Sequence, residues 1–313
     1  RGCRGFKSLR AHHLNQMKKP NKYSFFLLII LSAIWGSAFF NYKVTLESYD
    51  IFTLSGGRLF FAAIFLIVIY SFLLKKVNLR LLFSNKFYLF FLIGLINYVL
   101  PFSLIAFGIK GMSSGLAALL MSAGPFYAII FGHIFTKDKF NKYKLFGSII
   151  GFLSIVVLVY DQVYLSKLTN IKSVLFVMSA SLSYIIGGVL IEKNKKYNNE
   201  TIASLSMIWG AIILFPLLFV ELYKIDFSSV KFESTLSIIY LGIFSTAVAF
   251  MMRAKLIFDN GLVFMSQVSF LIPIFGLYFS WLFLNENFTF NMFYSLVLII
   301  LGLFILQKGY RKS

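Results

Sequence analysis

Read for apolar and polar positions, the chain alternates between long runs with almost no charge and short charged punctuations. The runs are 23–42, 51–74, 87–109, 111–136, 145–160, 173–191, 201–220, 234–252, 260–285 and 287–307. Most approach the roughly 20 residues a helix needs to cross hydrocarbon. Strands of a membrane barrel are shorter and alternate, whereas these runs are continuous. The pattern predicts an all-α polytopic membrane protein with ten transmembrane helices. Two runs are irregular: 51–74 carries Arg58 in its interior, and 145–160 is short unless Asn141 to Lys144 extend it by snorkelling.

Composition sharpens this picture. Of 313 residues, 59% are hydrophobic, 19% aromatic and 13% charged. A soluble domain carries roughly twice that charged fraction, so too little polar surface exists to coat a water-soluble globule. The net charge of +19 follows the positive-inside rule. With the N-terminus in the cytoplasm, the inner segments hold 19 Lys and Arg, among them Lys75, Lys76, Lys142, Lys144, Arg253 and Lys255, and the outer segments hold 6. Both termini are thus expected in the cytoplasm. Basic residues spread over six segments form no single patch, which argues against nucleic acid as a partner. The single cysteine, Cys3, allows no disulfide within the chain. Residues 1–16, with His12 and His13, precede "MKKPNKYSFF" and read as an over-called or appended tail, with Met17 as the expected start.

The chain also repeats itself. "PFYAIIFGHIFTKDKF" from Pro125 returns at a shift of 148 as "PIFGLYFSWLFLNENF" from Pro273. Phe131 falls on Phe279, Phe135 on Phe283, Phe140 on Phe288, and Asp138 on Glu286. Gly94 falls on Gly242 and Ala106 on Ala254. Five spans per copy is an odd number, so the second copy enters the membrane from the opposite side. The lysines agree: "TKDKFNKYK" holds four and its counterpart "LNENFTFN" none. Inverted repeats of this kind are a signature of secondary transporters, whose site lies between the halves. The repeats are expected at 17–161 and 171–308.

With "AIWGSAFFNYK" in the first span, "GGRLFFAAI" in the second and the Pro-to-acid ends of the fourth and ninth, the chain resembles the drug/metabolite transporter superfamily, EamA type. The resemblance covers essentially all of 17–308. It departs from the family pattern at Asp138, where Glu is usual, in the missing Pro ahead of "YDIFTLSGGR", and in "SASLSYIIGG" where the sixth span would echo the first. The resemblance implies transport of amino acids or related metabolites, often outward, across a bacterial inner membrane.

No HExxH, CxxC, GxxxxGK[ST] or GxSxG occurs, and the eleven acids sit in loops or at helix ends. Neither an enzyme nor a proton relay through a mid-membrane acid is indicated, and no metal or cofactor is expected. Arg58 lies about seven residues from its outer helix end, roughly 10 Å deep. It either binds a substrate carboxylate or snorkels outward to Glu47 or Asp50. Asn41, Asn97, Tyr98 and Gln267 are polar at membrane depth and should face the bundle interior. Trp35, Tyr127, Tyr184, Trp209 and Trp281 are the further aromatic candidates for a substrate site. Pro101 predicts a local break in the third span, and Pro125 and Pro273 bends that could gate. His133 reads as a satisfied side chain. Gly147 and Gly151 form a GxxxG packing face, within the monomer or in a homodimer.

The expectation is therefore a carrier for a small polar metabolite, surrounded by membrane lipid and working by alternating access. The first to fourth and sixth to ninth helices would line the cavity, with the fifth and tenth as scaffold. A carrier of nucleotide-like metabolites, such as S-adenosylmethionine or nucleobases, is the alternative within the class. A membrane-embedded enzyme or sensor is the alternative outside it.

Overall fold

The computed structural model describes residues 20–135, 141–161, 163, 169–194, 196–287 and 289–311. Every apolar run becomes a helix: α1 Lys22–Leu46, α2 Ile51–Leu73, α3 Phe87–Ile109, α4 Ser114–Phe135, α5 Lys142–Tyr160, α6 Ile171–Lys193, α7 Asn199–Tyr223, α8 Phe232–Asn260, α9 Leu262–Leu284 and α10 Phe290–Arg311. Among the described residues, α1 to α9 are long and apolar enough to cross a membrane, and α10 is apolar over a shorter stretch.

The helix starts follow from local chemistry. Asn21, Asn141, Asn170 and Asn198 each accept a backbone N–H of the first turn, as does Ser113 for α4. Such side chains satisfy donors that the helix itself leaves orphaned. Lys144 is buried rather than snorkelling, so α5 owes its start to the Asn141 cap. Between α8 and α9 the chain turns in one residue, Gly261, at φ 89°. A side chain is poorly tolerated at that angle.

Large apolar side chains such as Phe72, Phe219, Phe293 and Phe304 point outward. In water this surface would aggregate; facing lipid tails it costs nothing.

The packing maps onto itself when α1–α5 are exchanged with α6–α10. α2 packs on α7, α4 on α9 and α5 on α10, each its own counterpart. α1 packs on α9 and α8, just as α6 packs on α4 and α3. Close approach is bought with glycine. A Cβ on Gly36 of α1 would stand 2.5 Å from the Phe275 Cβ of α9. One on Gly147 of α5 would stand 2.5 Å from the Gly302 carbonyl oxygen of α10. The Gly147–Gly151 face is thus occupied within the chain.

Irregularities repeat as well. α3 contains a π-helical turn at Leu95–Val99, and α8 contains one at Ile243–Val248, 148 residues on. α4 is broken by a 3₁₀ turn at Met121–Ala123 before Pro125, and α9 is interrupted at Gln267 before Pro273. The break expected near Pro101 is the π turn of α3. Proline is not its only cause, because α8 makes the same turn with Ala249 at the equivalent place. Both turns follow a glycine, Gly94 or Gly242, and both have freed carbonyls taken up by neighbouring side chains.

Candidate substrate cavity between the two repeats

Those freed carbonyls build the centre of the molecule. In α8, the Ser245 carbonyl accepts from Trp35 Nε1 at 3.1 Å and from Arg58 Nη2 at 3.2 Å. In α3, the Ile96 carbonyl accepts from Ser183 Oγ. Trp35 and Ser183 are equivalent positions of the two repeats, 148 apart. The indole of the first span and the hydroxyl that replaces it in the sixth do the same work: each satisfies a π turn of the opposite repeat.

A cavity lies where these latches meet, walled by α1, α2, α3, α4, α6, α8 and α9. Its polar wall is Trp35, Tyr42, Arg58, Ser181, Tyr184, Arg253 and Ser269. Its volume is about 40 Å³, room for a few waters at roughly 10–15 Å³ each. A metabolite enters only if the helices part.

Arg58 is 2% exposed and neither snorkels nor meets an outer acid. Its guanidinium donates to the Tyr42 hydroxyl at 2.6 Å, to Thr246 Oγ1 and to the Ser245 carbonyl, and lies 3.8 Å over the Phe102 ring. Glu47 and Asp50 instead pair with Lys231 and Lys110 at the helix ends. Long side chains snorkel when water is within reach; here three polar acceptors lie closer than any surface.

Arg253 corrects the sequence count, which placed it among the inner-loop charges. α8 continues seven residues past it, and its side chain is 1% exposed. It donates to Asn97 Oδ1 at 2.8 Å and to the Tyr184 carbonyl at 2.6 Å. The apolar run was closed at Met252 because a charge followed. The helical period carried the contrary signal, since Phe250, Arg253, Ala254 and Ile257 share one buried face.

The other candidates divide. Trp35 and Tyr184 stack at 6.3 Å on the cavity wall, with Phe250 against both. Asn97 and Tyr98 are buried one layer behind, Asn97 holding Arg253 and Tyr98 packing on Phe250. Gln267 is buried at the α9 interruption, and neither of its amide atoms has a partner among the described residues. The Ser181 hydroxyl of the cavity wall is likewise unpartnered. Asn41 donates to the Ser37 carbonyl and faces a separate lateral groove with Tyr240 and Phe279.

Tyr127, Trp209 and Trp281 lie outside the cavity. Tyr127 is half-buried beside Phe126. Trp209 packs among Phe83, Phe87 and Phe91, because α7 turns this face to α3 and gives no residue to the cavity wall. Trp281 is 54% exposed on the outer face of α9. Pro125 and Pro273 follow the helix interruptions beside the cavity residues Met121 and Ser269. Glu286 serves the N-terminal end of α4, its carboxylate accepting from Ser114 N, Ser114 Oγ and Gly115 N at 2.9–3.0 Å. Its repeat equivalent Asp138, and the tail 1–16, fall outside the described residues.

The model of the EamA-like transporter family matches residues 22–160 and 171–307, and the chain belongs to that family. It is 26% identical over 296 residues to a probable amino-acid metabolite efflux pump of Escherichia coli, spanning 91% of this chain and 95% of that one. It is 22% identical over 279 residues to the uncharacterized transporter YoaV of Bacillus subtilis, 89% and 94% respectively. A solved crystal structure superposes with a TM-score of 0.71 over 93% of this chain and 100% of that chain, at 13% identity, a likeness of fold.

Proposed function

We propose that this member of the EamA-like transporter family is a secondary carrier for a small metabolite bearing a carboxylate, of the amino-acid kind. It would export that metabolite across a bacterial inner membrane, with both termini in the cytoplasm. The observation that carries the reading is Arg58. A guanidinium buried at membrane depth and bonded only to neutral groups costs about 2.5–3.5 kcal/mol on insertion scales. Such a charge is kept where it faces a ligand. The unpartnered Ser181 hydroxyl and the Trp35–Tyr184 stack would hold the rest of the molecule.

Alternating access fits the packing. The contacts of α1–α5 with α6–α10 are equivalent on exchange, so a rocking motion has a matching state of similar energy. α5 and α10 pack on each other away from the cavity and serve as scaffold. The outer ends of α1 and α8 are joined here through Lys231 to Glu47 and Ser48, and through Ser234 Oγ to the Val44 carbonyl. With both termini in the cytoplasm, as proposed, these contacts support the reading of a state shut on the outer side.

Counterflow in proteoliposomes tests the proposal. Vesicles holding the full chain are loaded with unlabelled amino acids, and labelled compounds are offered outside, with and without a pH gradient. Accumulation of one label above protein-free vesicles, lost in Arg58→Ala while insertion stays normal, is the expected result. Full activity of Arg58→Ala removes the assigned role.

A further inference from the structure

The second arginine adds a charge to the same wall, and nothing described cancels it. Among the described residues, Arg58 and Arg253 bond only to hydroxyls, backbone carbonyls and the Asn97 amide oxygen. No carboxylate among the described residues touches either. We infer that the transported metabolite is a net anion with two acidic groups, one for each guanidinium, such as glutamate or a short dicarboxylate. This rests on reading the cavity as the transport site.

Charge arithmetic decides between substrate classes. A zwitterionic amino acid brings no net charge, so the loaded cavity stays at two positive charges. A cation such as S-adenosylmethionine raises it further. A dianion neutralises the site, and a monoanion such as glutamate halves its charge. In low dielectric these differences outweigh the hydrogen bonds that each compound could make alike.

The two guanidiniums rest against different rings of one aromatic cluster. Arg58 lies over Phe102 at 3.8 Å and Arg253 near Phe250 at 5.6 Å, while those rings stand 5.8 Å apart. In the proposal each arginine, carried by its own helix on the cavity wall, takes its own anionic group, and the spacer between the groups would lie along Tyr184. A planar guanidinium suits a carboxylate, which it can grip with two parallel N–H donors. Each arginine also has donors to spare: Arg58 uses three of its N–H groups and Arg253 two, out of five apiece.

Arg253 is also tied to both repeats. It leaves α8, bonds to Asn97 of the α3 π turn, and bonds to the Tyr184 carbonyl of α6. Anion binding at Arg253 would thus be felt at the interface that must slide.

The test uses substrates matched in shape and unequal in charge. Glutamate is compared with glutamine, and aspartate with asparagine, by counterflow in vesicles holding the full chain; S-adenosylmethionine serves as the cation. Each acid should move at least about tenfold faster than its amide, and the cation should not move. Arg253→Gln should bring the ratio towards one while Arg253→Lys keeps most of it. Amides moving as fast as acids would overturn the charge inference while leaving the carrier intact. A panel in which nothing moves would remove both readings. Should Arg253→Gln fail to fold, thermal denaturation of the detergent-solubilised wild type decides. Succinate should raise Tm at constant ionic strength and choline should not; equal effects of the two would overturn the inference.

Discussion

Arg58→Met is the substitution in which a structural and a functional role for this arginine part furthest. The change removes three hydrogen bonds, to Tyr42, Thr246 and Ser245. Interhelical hydrogen bonds in membrane proteins average about 0.6 kcal/mol and reach about 1.7 kcal/mol, so the loss is about 2–5 kcal/mol. Against it stands relief from burying an uncompensated charge, about 2.5–3.5 kcal/mol. The thioether also keeps the contact with the Phe102 face that the guanidinium makes at 3.8 Å. The two sides cancel to within about 3 kcal/mol, so Tm in detergent should move by only a few degrees. Transport should behave otherwise. Losing a desolvated charge pair with a substrate carboxylate costs about 2–4 kcal/mol, which is about 30- to 1,000-fold in affinity. The assay pairs thermal denaturation with initial counterflow rate on the same preparation. A large fall in Tm, with transport reduced only in proportion to the folded fraction, would refute the reasoning and make Arg58 a structural clamp.

Four further outcomes follow from the geometry. Gly147→Leu places a Cβ 2.5 Å from the Gly302 oxygen and 2.6 Å from Leu306 N; since backbone cannot yield, overpacking should cost about 1–3 kcal/mol, read as a lower Tm with unchanged elution volume. Glu286→Gln weakens three bonds at the α4 N-terminus and should lower stability by about 1–2 kcal/mol, measured in the same melt. Gln267→Met removes a buried amide without partners and should raise Tm; a fall in transport alongside would give that amide to the substrate. Ser48→Cys with Lys231→Cys places two thiols where the Lys231 backbone N–H donates to Ser48 Oγ at 3.1 Å; with the disulfide verified by thiol titration, oxidation should stop counterflow and a reductant restore it, and transport through the oxidised form would exclude a gate there.

How much of this was legible beforehand depends on what each feature leaves in a sequence. Helix existence was legible because lipid demands long uncharged runs, and the repeat because Pro125 and Pro273, Gly94 and Gly242 stay in register. The α5–α10 pairing through Gly147 was half legible: GxxxG announces a close partner, but only the fold brings Gly302 against it. Arg58 was legible as a charge inside a run. Arg253 was not, because a run was ended at the very charge that mattered. The aromatic candidates failed for a different reason. Trp209 is as apolar and as deep in its span as Trp35, and only the rotation of α7 about its axis keeps it from the cavity; Trp281 lies three residues from the end of α9, on its exposed face. Nothing in composition encodes that rotation.

The exchange symmetry itself tells which asymmetries matter. Trp35 and Ser183 differ greatly in chemistry yet perform one equivalent task, holding the π turn of the opposite repeat. The fold therefore tolerates divergence wherever a donor is retained. The arginines have no such equivalence: Arg58 corresponds to Ser206 and Arg253 to Ile105 at the shift of 148. Folding a second half on the pattern of the first does not call for a guanidinium at either place, and both are costly in lipid. On the proposed function, a charge that the repeat does not need, and that the membrane penalises, is retained for what enters the cavity. That is the physical reason to look for the substrate between Arg58 and Arg253 before anywhere else in the molecule.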